Sequence, residues 1–173
     1  MQDNRNVLDE FKGLSHEVIV EQLDARGVLL EIAIENLERD FNMGTIIRSA
    51  NAFGIRTVHI IGRRQWNKRG AMMTDKYLHV IYHNSVDTFV EHMRSEHPTR
   101  VLLVGVDNVS GAVDLTTVDK LENAVLIFGS EANGLSSEML AHVDTIVQIP
   151  QRGSTRSLNV GVAAGIVMWE WLR

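Results

Sequence analysis

The sequence contains no cysteine, and this absence excludes several kinds of chemistry. Disulfides, thiolate zinc sites, iron–sulfur clusters and cysteine nucleophiles all require the missing thiol. A chain without disulfides suits a reducing compartment, so we expect a cytoplasmic protein.

Long apolar stretches are also missing. The longest run without a charged residue spans residues 157–169, whereas a helix that crosses a bilayer needs about 20 apolar residues. The first nine residues carry two acids and no apolar core, so we expect no signal peptide there. We therefore expect no membrane partner.

Positive charge is scarcer than negative charge. Lys and Arg number 17 against 22 Asp and Glu, which gives a net charge of −5. This balance excludes a protein that coats nucleic acid through a uniformly basic surface, but it is compatible with a local basic patch. The 173 residues, 45% of them hydrophobic and 23% charged, fit one soluble globular domain.

The pattern of apolar residues predicts alternating strands and helices. Strands are predicted at residues 28–34, 57–61, 80–83, 100–106, 124–128 and 145–149, and helices at 42–54, 85–96, 136–142 and 157–173. Continuous apolar strands separated by helices indicate an α/β fold, with a mostly parallel sheet covered by helices on both faces. Residues 1–27 form a polar N-terminal extension in which Ser15 caps a short helix, and residues 28–173 form the domain.

Several familiar signatures are absent. No G-x-G-x-x-G follows a strand, and there is neither a P-loop nor a G-x-S-x-G elbow. The chain has seven histidines, but their spacing shows no cluster with an acid, so we predict no metal site. The pairs His79/His83 and His92/His97 are interpreted as surface or satisfied core residues.

Three segments combine a strand end, small or polar residues and a helix start: residues 42–48, 127–135 and 149–160. Backbone N–H groups are free at helix starts, and the carboxyl ends of strands are where α/β sheets bind ligands. Taken singly, each segment is better explained as a turn with a cap.

Taken together and in this order, the segments resemble the three motifs of the SpoU (TrmH-type) RNA ribose methyltransferases of the SPOUT superfamily. The first motif, N-x-G-x-x-x-R, matches at Asn42, Gly44 and Arg48. The second motif, F-G-x-E-x-x-G-L, matches at Phe128, Gly129, Glu131, Gly134 and Leu135. The third motif, I-P-x-x-G-x-x-x-S-L-N-V, matches at Ile149, Pro150, Gly153, Ser157, Leu158, Asn159 and Val160. Gln151 and Gly161 stand where Met and Ser are more usual, which bears on subtype alone.

The resemblance implies a deep trefoil knot built by the C-terminal third, with the loops after Val106, Phe128 and Ile149 taking part. It implies S-adenosyl-L-methionine as cofactor, with contacts from Gly129, Ile149, Leu158 and Val104. It implies methyl transfer to a ribose 2′-hydroxyl of tRNA or rRNA, and Arg48, Asn42, Glu131, Ser157 and Asn159 as catalytic residues.

The role of Arg48 has two interpretations, a general base or a fork that grips phosphate and stabilises the developing alkoxide. A guanidinium pKa of about 12 or higher favours the fork. The function also has alternatives: a SPOUT-type methyltransferase acting on a base nitrogen, or a non-catalytic RNA-binding module on the same fold.

RNA and a second copy of the chain are the expected partners. The predicted RNA contacts are the cations of a basic loop, with possible base stacking on Trp66, and two cations of the third motif: Arg63, Arg64, Lys68, Arg69, Arg152 and Arg156. The final helix is apolar nearly all round up to Trp169, and the resemblance implies that it forms a homodimer contact.

Overall fold

The computed structural model describes residues 3–35, 40–62, 64–97 and 99–173. Within them, seven strands form one sheet in the order β3-β2-β1-β6-β4-β7-β5, and every recorded pair is parallel. The strands are β1 Glu31–Glu35, β2 Thr57–Ile61, β3 His79–His83, β4 Leu102–Val106, β5 Val113–Asp114, β6 Ala124–Phe128 and β7 Thr145–Gln148. Because all strands run the same way, their carboxyl ends share one edge of the sheet.

Five α-helices and three short 3₁₀ helices connect the strands in the described ranges. The α-helices are α1 His16–Ala25, α2 Asp40–Ala52, α3 Val86–Glu96, α4 Ser137–Leu140 and α5 Val160–Leu172; the 3₁₀ helices are Asp9–Phe11, Lys68–Ala71 and Thr74–Tyr77. None of these helices has the length and hydrophobicity that crossing a bilayer requires.

Helices cover both faces of the sheet, as predicted. On one face α2 and α5 contribute Ile46, Ile47 and Val167 to the main core. On the other face Phe89 of α3 and Met139 of α4 belong to a second core. Both faces of the central strands are therefore buried, which explains their uninterrupted apolar sequences. The threading that a knot requires stays a prediction.

The N-terminal extension packs onto the domain through a small core of its own. Phe11 and Ile19 are buried against Tyr77. Ser15 caps α1 by accepting a hydrogen bond from the backbone N–H of Val18, as the sequence predicted.

One departure from the predicted elements is at α5. The helix begins at Val160 and not at residue 157, because the Asn159 side chain caps it and residues 157–159 are not helical. One side of α5 is buried and the other is exposed: Val162, Ile166 and Trp169 have 54%, 41% and 61% of their surface accessible.

At Gly44, another segment of the chain packs closely against α2. A Cβ atom there would come within 2.6 Å of the backbone nitrogen of Ala71 and 2.7 Å of Cα of Gly70. The absence of a side chain thus lets the 3₁₀ helix Lys68–Ala71 pack directly on α2. Helix periodicity places Gly44 on the polar side of α2, but the structure buries it under this segment.

Candidate active site

A cavity of about 550 Å³ opens at the carboxyl ends of β4, β6 and β7. Its walls are the loops that follow these three strands, together with residues 156–158 and the first turn of α5. The volume is typical of a small-molecule site, and the position is where open α/β sheets bind ligands.

The loop after β6 is a tight turn with a fixed backbone. Ser130 and Gly134 exchange two backbone hydrogen bonds of 2.9 Å each. A Cβ atom on Gly129 would lie 2.1 Å from the carbonyl carbon of Gly134, so only glycine permits this fold of the chain. Asp107, directly after β4, accepts a hydrogen bond of 2.9 Å from the backbone N–H of Leu135 and ties the two loops together.

One chain of hydrogen bonds joins the three sequence motifs at the cavity. Asn42 of the first motif donates from Nδ2 to Oε1 of Glu131 in the second, at 2.6 Å. Asn159 of the third donates from Nδ2 to Oδ1 of Asn42, at 3.1 Å. The Oδ1 atom of Asn159 accepts from the backbone N–H groups of Gly161 and Val162 at 3.0 and 3.2 Å.

The start of α5 fixes the direction of every bond in this chain. Two backbone donors require that the Asn159 oxygen face the helix, so its NH₂ group must face Asn42. The oxygen of Asn42 then accepts that bond, and its own NH₂ group is directed at the Glu131 carboxylate. Three residues far apart in sequence are thereby held in one orientation.

Two buried oxygen atoms at the cavity have no hydrogen-bond partner among the described residues, namely Oε2 of Glu131 and Oε1 of Gln151. Both residues line the cavity. An unsatisfied buried acceptor costs about 1–3 kcal/mol, so this pair indicates a ligand that brings N–H or O–H donors.

Arg48 lies apart from this chain of hydrogen bonds in the part of the molecule that the structure describes. It is exposed on α2, one turn after Gly44. Residues four apart share a helix face, so Arg48 lies on the side of α2 that meets the 3₁₀ helix Lys68–Ala71. Ser157 is also outside the hydrogen-bonded chain; it is exposed and lines the cavity.

The basic loop differs from its prediction in one respect. Trp66 is only 9% exposed and donates from Nε1 to the Tyr82 hydroxyl at 3.3 Å, so the predicted base stacking on its ring is wrong. Lys68 forms an ion pair of 2.9 Å with Asp75, and this hydrogen bond raises the pKa of the lysine.

The remaining cations of this loop are available to a ligand to different degrees. Arg64 and Arg69 are exposed, and the Arg64 guanidinium carbon lies 5.8 Å from the centre of the Tyr82 ring. Arg63 lies outside the described residues. In the third motif Arg152 and Arg156 are exposed, and Arg156 lines the cavity.

The implied cofactor contacts fall into two groups. Gly129, Ile149 and Leu158 all line the cavity. Val104 does not: it is fully buried in the middle of β4, and Val106 at the end of that strand lines the cavity in its place. Both side chains belong to the same sheet face, so only their distance from the carboxyl edge separates them.

Sequence reasoning missed two residues of the site. Asp107 could have been found, because it is a polar residue directly after a buried strand at the carboxyl edge. Gln151 was treated as a mark of subtype, and nothing in its sequence context shows that its oxygen is buried and unpaired.

Three histidines that sequence spacing does not connect lie close together in the structure. His59, His83 and His92 lie together beneath α3, with one ring nitrogen of each within 4.8 Å of the others. Because His59 is on β2, His83 on β3 and His92 on α3, their proximity follows from strand order and not from sequence spacing.

Comparisons with known proteins identify the relatives of this chain. Residues 29–169 match the SpoU rRNA Methylase family. The tRNA (guanosine(18)-2′-O)-methyltransferase of Escherichia coli K12 is 28% identical over 155 residues, which cover 88% of this chain and 66% of that protein. An uncharacterized tRNA/rRNA methyltransferase of Mycolicibacterium vanbaalenii is 36% identical over 158 residues, which cover 87% and 48%.

Solved structures have the same architecture. The SpoU methyltransferase AviRb of Streptomyces viridochromogenes, in complex with AdoMet, superposes with a TM-score of 0.74 at 29% identity, over 85% of this chain and 58% of that one. The TrmH/SpoU tRNA modifying enzyme of A. aeolicus gives a TM-score of 0.78 at 23% identity, over 91% and 80%, and this likeness concerns the fold alone.

The chain spans between about half and two thirds of the length of these curated relatives. The match to the family nevertheless covers most of the chain and all three motif segments. This protein therefore belongs to the SpoU rRNA Methylase family.

Proposed function

We propose that this chain transfers a methyl group from S-adenosyl-L-methionine to a ribose 2′-hydroxyl of tRNA or rRNA. The observation that carries the proposal is the chain of hydrogen bonds from Glu131 through Asn42 to Asn159 at the edge of the cavity. A binding module needs a pocket, but it does not need three separated motifs joined around an unpaired carboxylate oxygen. The names of relatives, tRNA 2′-O-methyltransferase and tRNA/rRNA methyltransferase, support the same assignment.

The cavity fits the proposed cofactor. Ile149, Leu158 and Val106 offer apolar contacts for an adenine ring, and the fixed turn after β6 offers backbone groups. The unpaired oxygen of Gln151 accepts a hydrogen bond from an amino or ribose hydroxyl group. S-adenosylmethionine, when bound, supplies the electrophilic methyl group. Two structural neighbours were solved with AdoMet.

The residues of the hydrogen-bonded chain act on the RNA hydroxyl. Asn42 occupies one oxygen of Glu131 and leaves Oε2 as a buried acceptor. This oxygen accepts a hydrogen bond from the 2′-hydroxyl, which orients it, and takes up the hydroxyl proton as the methyl group moves from sulfur to the ribose oxygen. Arg48 serves as a two-point fork for the adjacent phosphate and stabilises the oxygen as negative charge develops on it. A guanidinium is a poor base, so we assign it no proton transfer.

RNA reaches the site along the side of α2 that carries Arg48. The exposed residue Arg69 lies on this side, because the 3₁₀ helix Lys68–Ala71 packs against Gly44, and the exposed Arg64 precedes that helix in the same loop. Arg152 and Arg156 add positive charge on the third motif. This arrangement supplies phosphate contacts locally although the chain is acidic as a whole. We place the reaction in the cytoplasm, consistent with a chain that lacks cysteine.

The protein acts as a homodimer in this proposal. The exposed side of α5 presents Val162, Ile166 and Trp169 in a stripe, and the opposite side of the helix is buried in its own chain. The exposure of large apolar side chains to solvent is unfavourable. A second copy of the same helix, related by two-fold symmetry, is complementary to this stripe and covers it.

Asn159 variants separate helix capping from the hydrogen bond to Asn42. Asn159→Asp keeps the cap oxygen and loses the NH₂ donor, whereas Asn159→Ala loses both. The free energy of unfolding should be about 1 kcal/mol higher for the Asp variant than for the Ala variant, because only the Asp variant keeps the cap. Methyl transfer should fall at least about tenfold in both, because Asn42 loses its donor in each. Urea unfolding and turnover measure the two effects, and an Asp variant with wild-type turnover would contradict the role of this bond.

Arg48 variants test the fork. Arg48→Ala removes the charge, and Arg48→Lys keeps the charge but lacks the planar two-point grip. Both variants should lose most turnover, while calorimetric affinity for S-adenosylmethionine stays within a few-fold of wild type, a change under about 1 kcal/mol. Arg94→Ala, which removes an exposed arginine on α3, is the matched control and should keep wild-type turnover. Near-wild-type methylation by folded Arg48→Ala at saturating RNA would refute the assignment.

The salt dependence of RNA binding tests the basic loop. Replacing Arg64 and Arg69 with Ala should weaken RNA binding and reduce the slope of log K against log salt by about 0.7–0.9 for each phosphate that the variant no longer neutralises. Lys68→Ala should have a smaller effect on the slope, because Asp75 already pairs with that lysine. Binding titrations at several salt concentrations measure this. Unchanged affinity and slope in the double variant would remove the loop from the RNA interface.

Oligomeric state tests the α5 stripe. Sedimentation equilibrium of the wild type at micromolar concentration should give about twice the monomer mass of 19.4 kDa. Ile166→Glu places a charge in the stripe and should give the monomer mass with an unchanged circular dichroism spectrum. Leu8→Glu, at another exposed apolar residue, is the control and should remain dimeric. A monomeric wild type would sink this part of the proposal.

A further inference from the structure

The three histidines beneath α3 form a compact and buried cluster. His59 has 0% and His83 5% of its surface exposed, and His92 is half-buried. The ring centres of His59, His83 and His92 form a nearly equilateral triangle with sides of 5.1, 5.1 and 5.5 Å. With Zn–N bonds of about 2.0–2.1 Å, three imidazoles on one tetrahedral ion place their ring centres about 5 Å apart.

Glu31 sets the direction of the central ring. Its Oε2 lies 2.7 Å from Nε2 of His59. A carboxylate only accepts hydrogen bonds, so Nε2 of His59 carries the hydrogen and Nδ1 presents its lone pair to the cluster. That Nδ1 accepts a hydrogen bond of 2.9 Å from Nε2 of His83, so an ion that binds both nitrogens displaces the His83 proton. A histidine that donates one N–H to a carboxylate and offers its other nitrogen is the usual arrangement of a metal ligand.

The surroundings of His59 and His83 hold both rings in place. The Phe89 ring packs edge-on against both His59 and His83, with centres 5.4 Å apart in each pair. Burial, and then the neighbouring His59 and His92, lower the pKa of His83 to about 4.

We propose that His59, His83 and His92 bind one divalent transition-metal ion of the zinc class, with Glu31 orienting His59. Imidazole suits Zn²⁺ and its neighbours, and three protein nitrogens leave a fourth tetrahedral position for water. The ion ties α3 to β2 and to the edge strand β3. None of the three histidines lines the cavity in the described structure, so the ion has a structural role separate from methyl transfer.

The test uses the full chain without a histidine tag, stripped of metal by a chelator. Titration with Zn²⁺ against a chromophoric competitor should show one ion per chain, and Co²⁺ should give the visible absorption of a tetrahedral site. Zinc should also raise the midpoint of thermal unfolding, because an ion that binds only the folded chain stabilises it.

Variants locate the site. His92→Ala is the gentlest change to a ligand, since His92 is half-buried on a helix that tolerates alanine, and it should abolish stoichiometric binding and the thermal shift. Glu31→Gln should weaken zinc binding by about 10- to 100-fold. His79→Ala removes an exposed histidine from the same strand as His83 and should bind like wild type. Less than one tenth of an equivalent of zinc on the wild type, or wild-type binding by folded His92→Ala, would overturn the proposal.

Discussion

The first turn of α5 sets the geometry on which the rest of the site depends. Two backbone N–H groups at the start of this helix have no partner within the helix, and the Asn159 oxygen satisfies both. That single constraint orients the Asn159 amide, which orients Asn42, which in turn occupies one oxygen of Glu131. The site is thus an extension of a helix cap, and its precision comes from backbone geometry.

The parallel sheet brings together the loops that carry the hydrogen-bonded residues of the site. Because β6, β4 and β7 are neighbours and run the same way, the loops after them meet at one edge. The turn closed by Gly129 and Gly134 presents Glu131, and Asp107 ties that turn to the loop after β4. At Gly44, the 3₁₀ helix Lys68–Ala71 packs closely on α2, and this contact places the basic loop on the side of α2 that carries Arg48. One edge of the sheet therefore holds both the cavity and the cations proposed to bring RNA to it.

The sequence predicts the elements that are long and periodic. The bounds of β2 and β6 agree with the structure, and so does the cap at Ser15, because local patterns determine them. The strand β5 has only two residues, so it is too short to show a periodic pattern of apolar residues in the sequence. The sequence misplaces the start of α5 because the run without charged residues extends back to residue 157, and only the cap at Asn159 marks the boundary.

Contacts between distant segments were harder to predict. The burial of Trp66 depends on how its loop folds onto α2 and β3, and the histidine cluster depends on which strands are neighbours. The motif resemblance selected Asn42, Glu131 and Asn159 but gave no account of how they are connected. It also gave Val104 as a cofactor contact, because sequence alone does not show how far along β4 the cavity reaches.

The position of the transferred methyl group tests the central claim most directly. RNA from cells that lack the gene is incubated with the purified protein and with S-adenosylmethionine that carries a deuterated methyl group. The RNA is then digested to nucleosides and measured by mass spectrometry. The account predicts the labelled methyl on the ribose 2′-oxygen of one nucleoside from tRNA or rRNA. A label on a base nitrogen, or no label at all with folded protein, would contradict it.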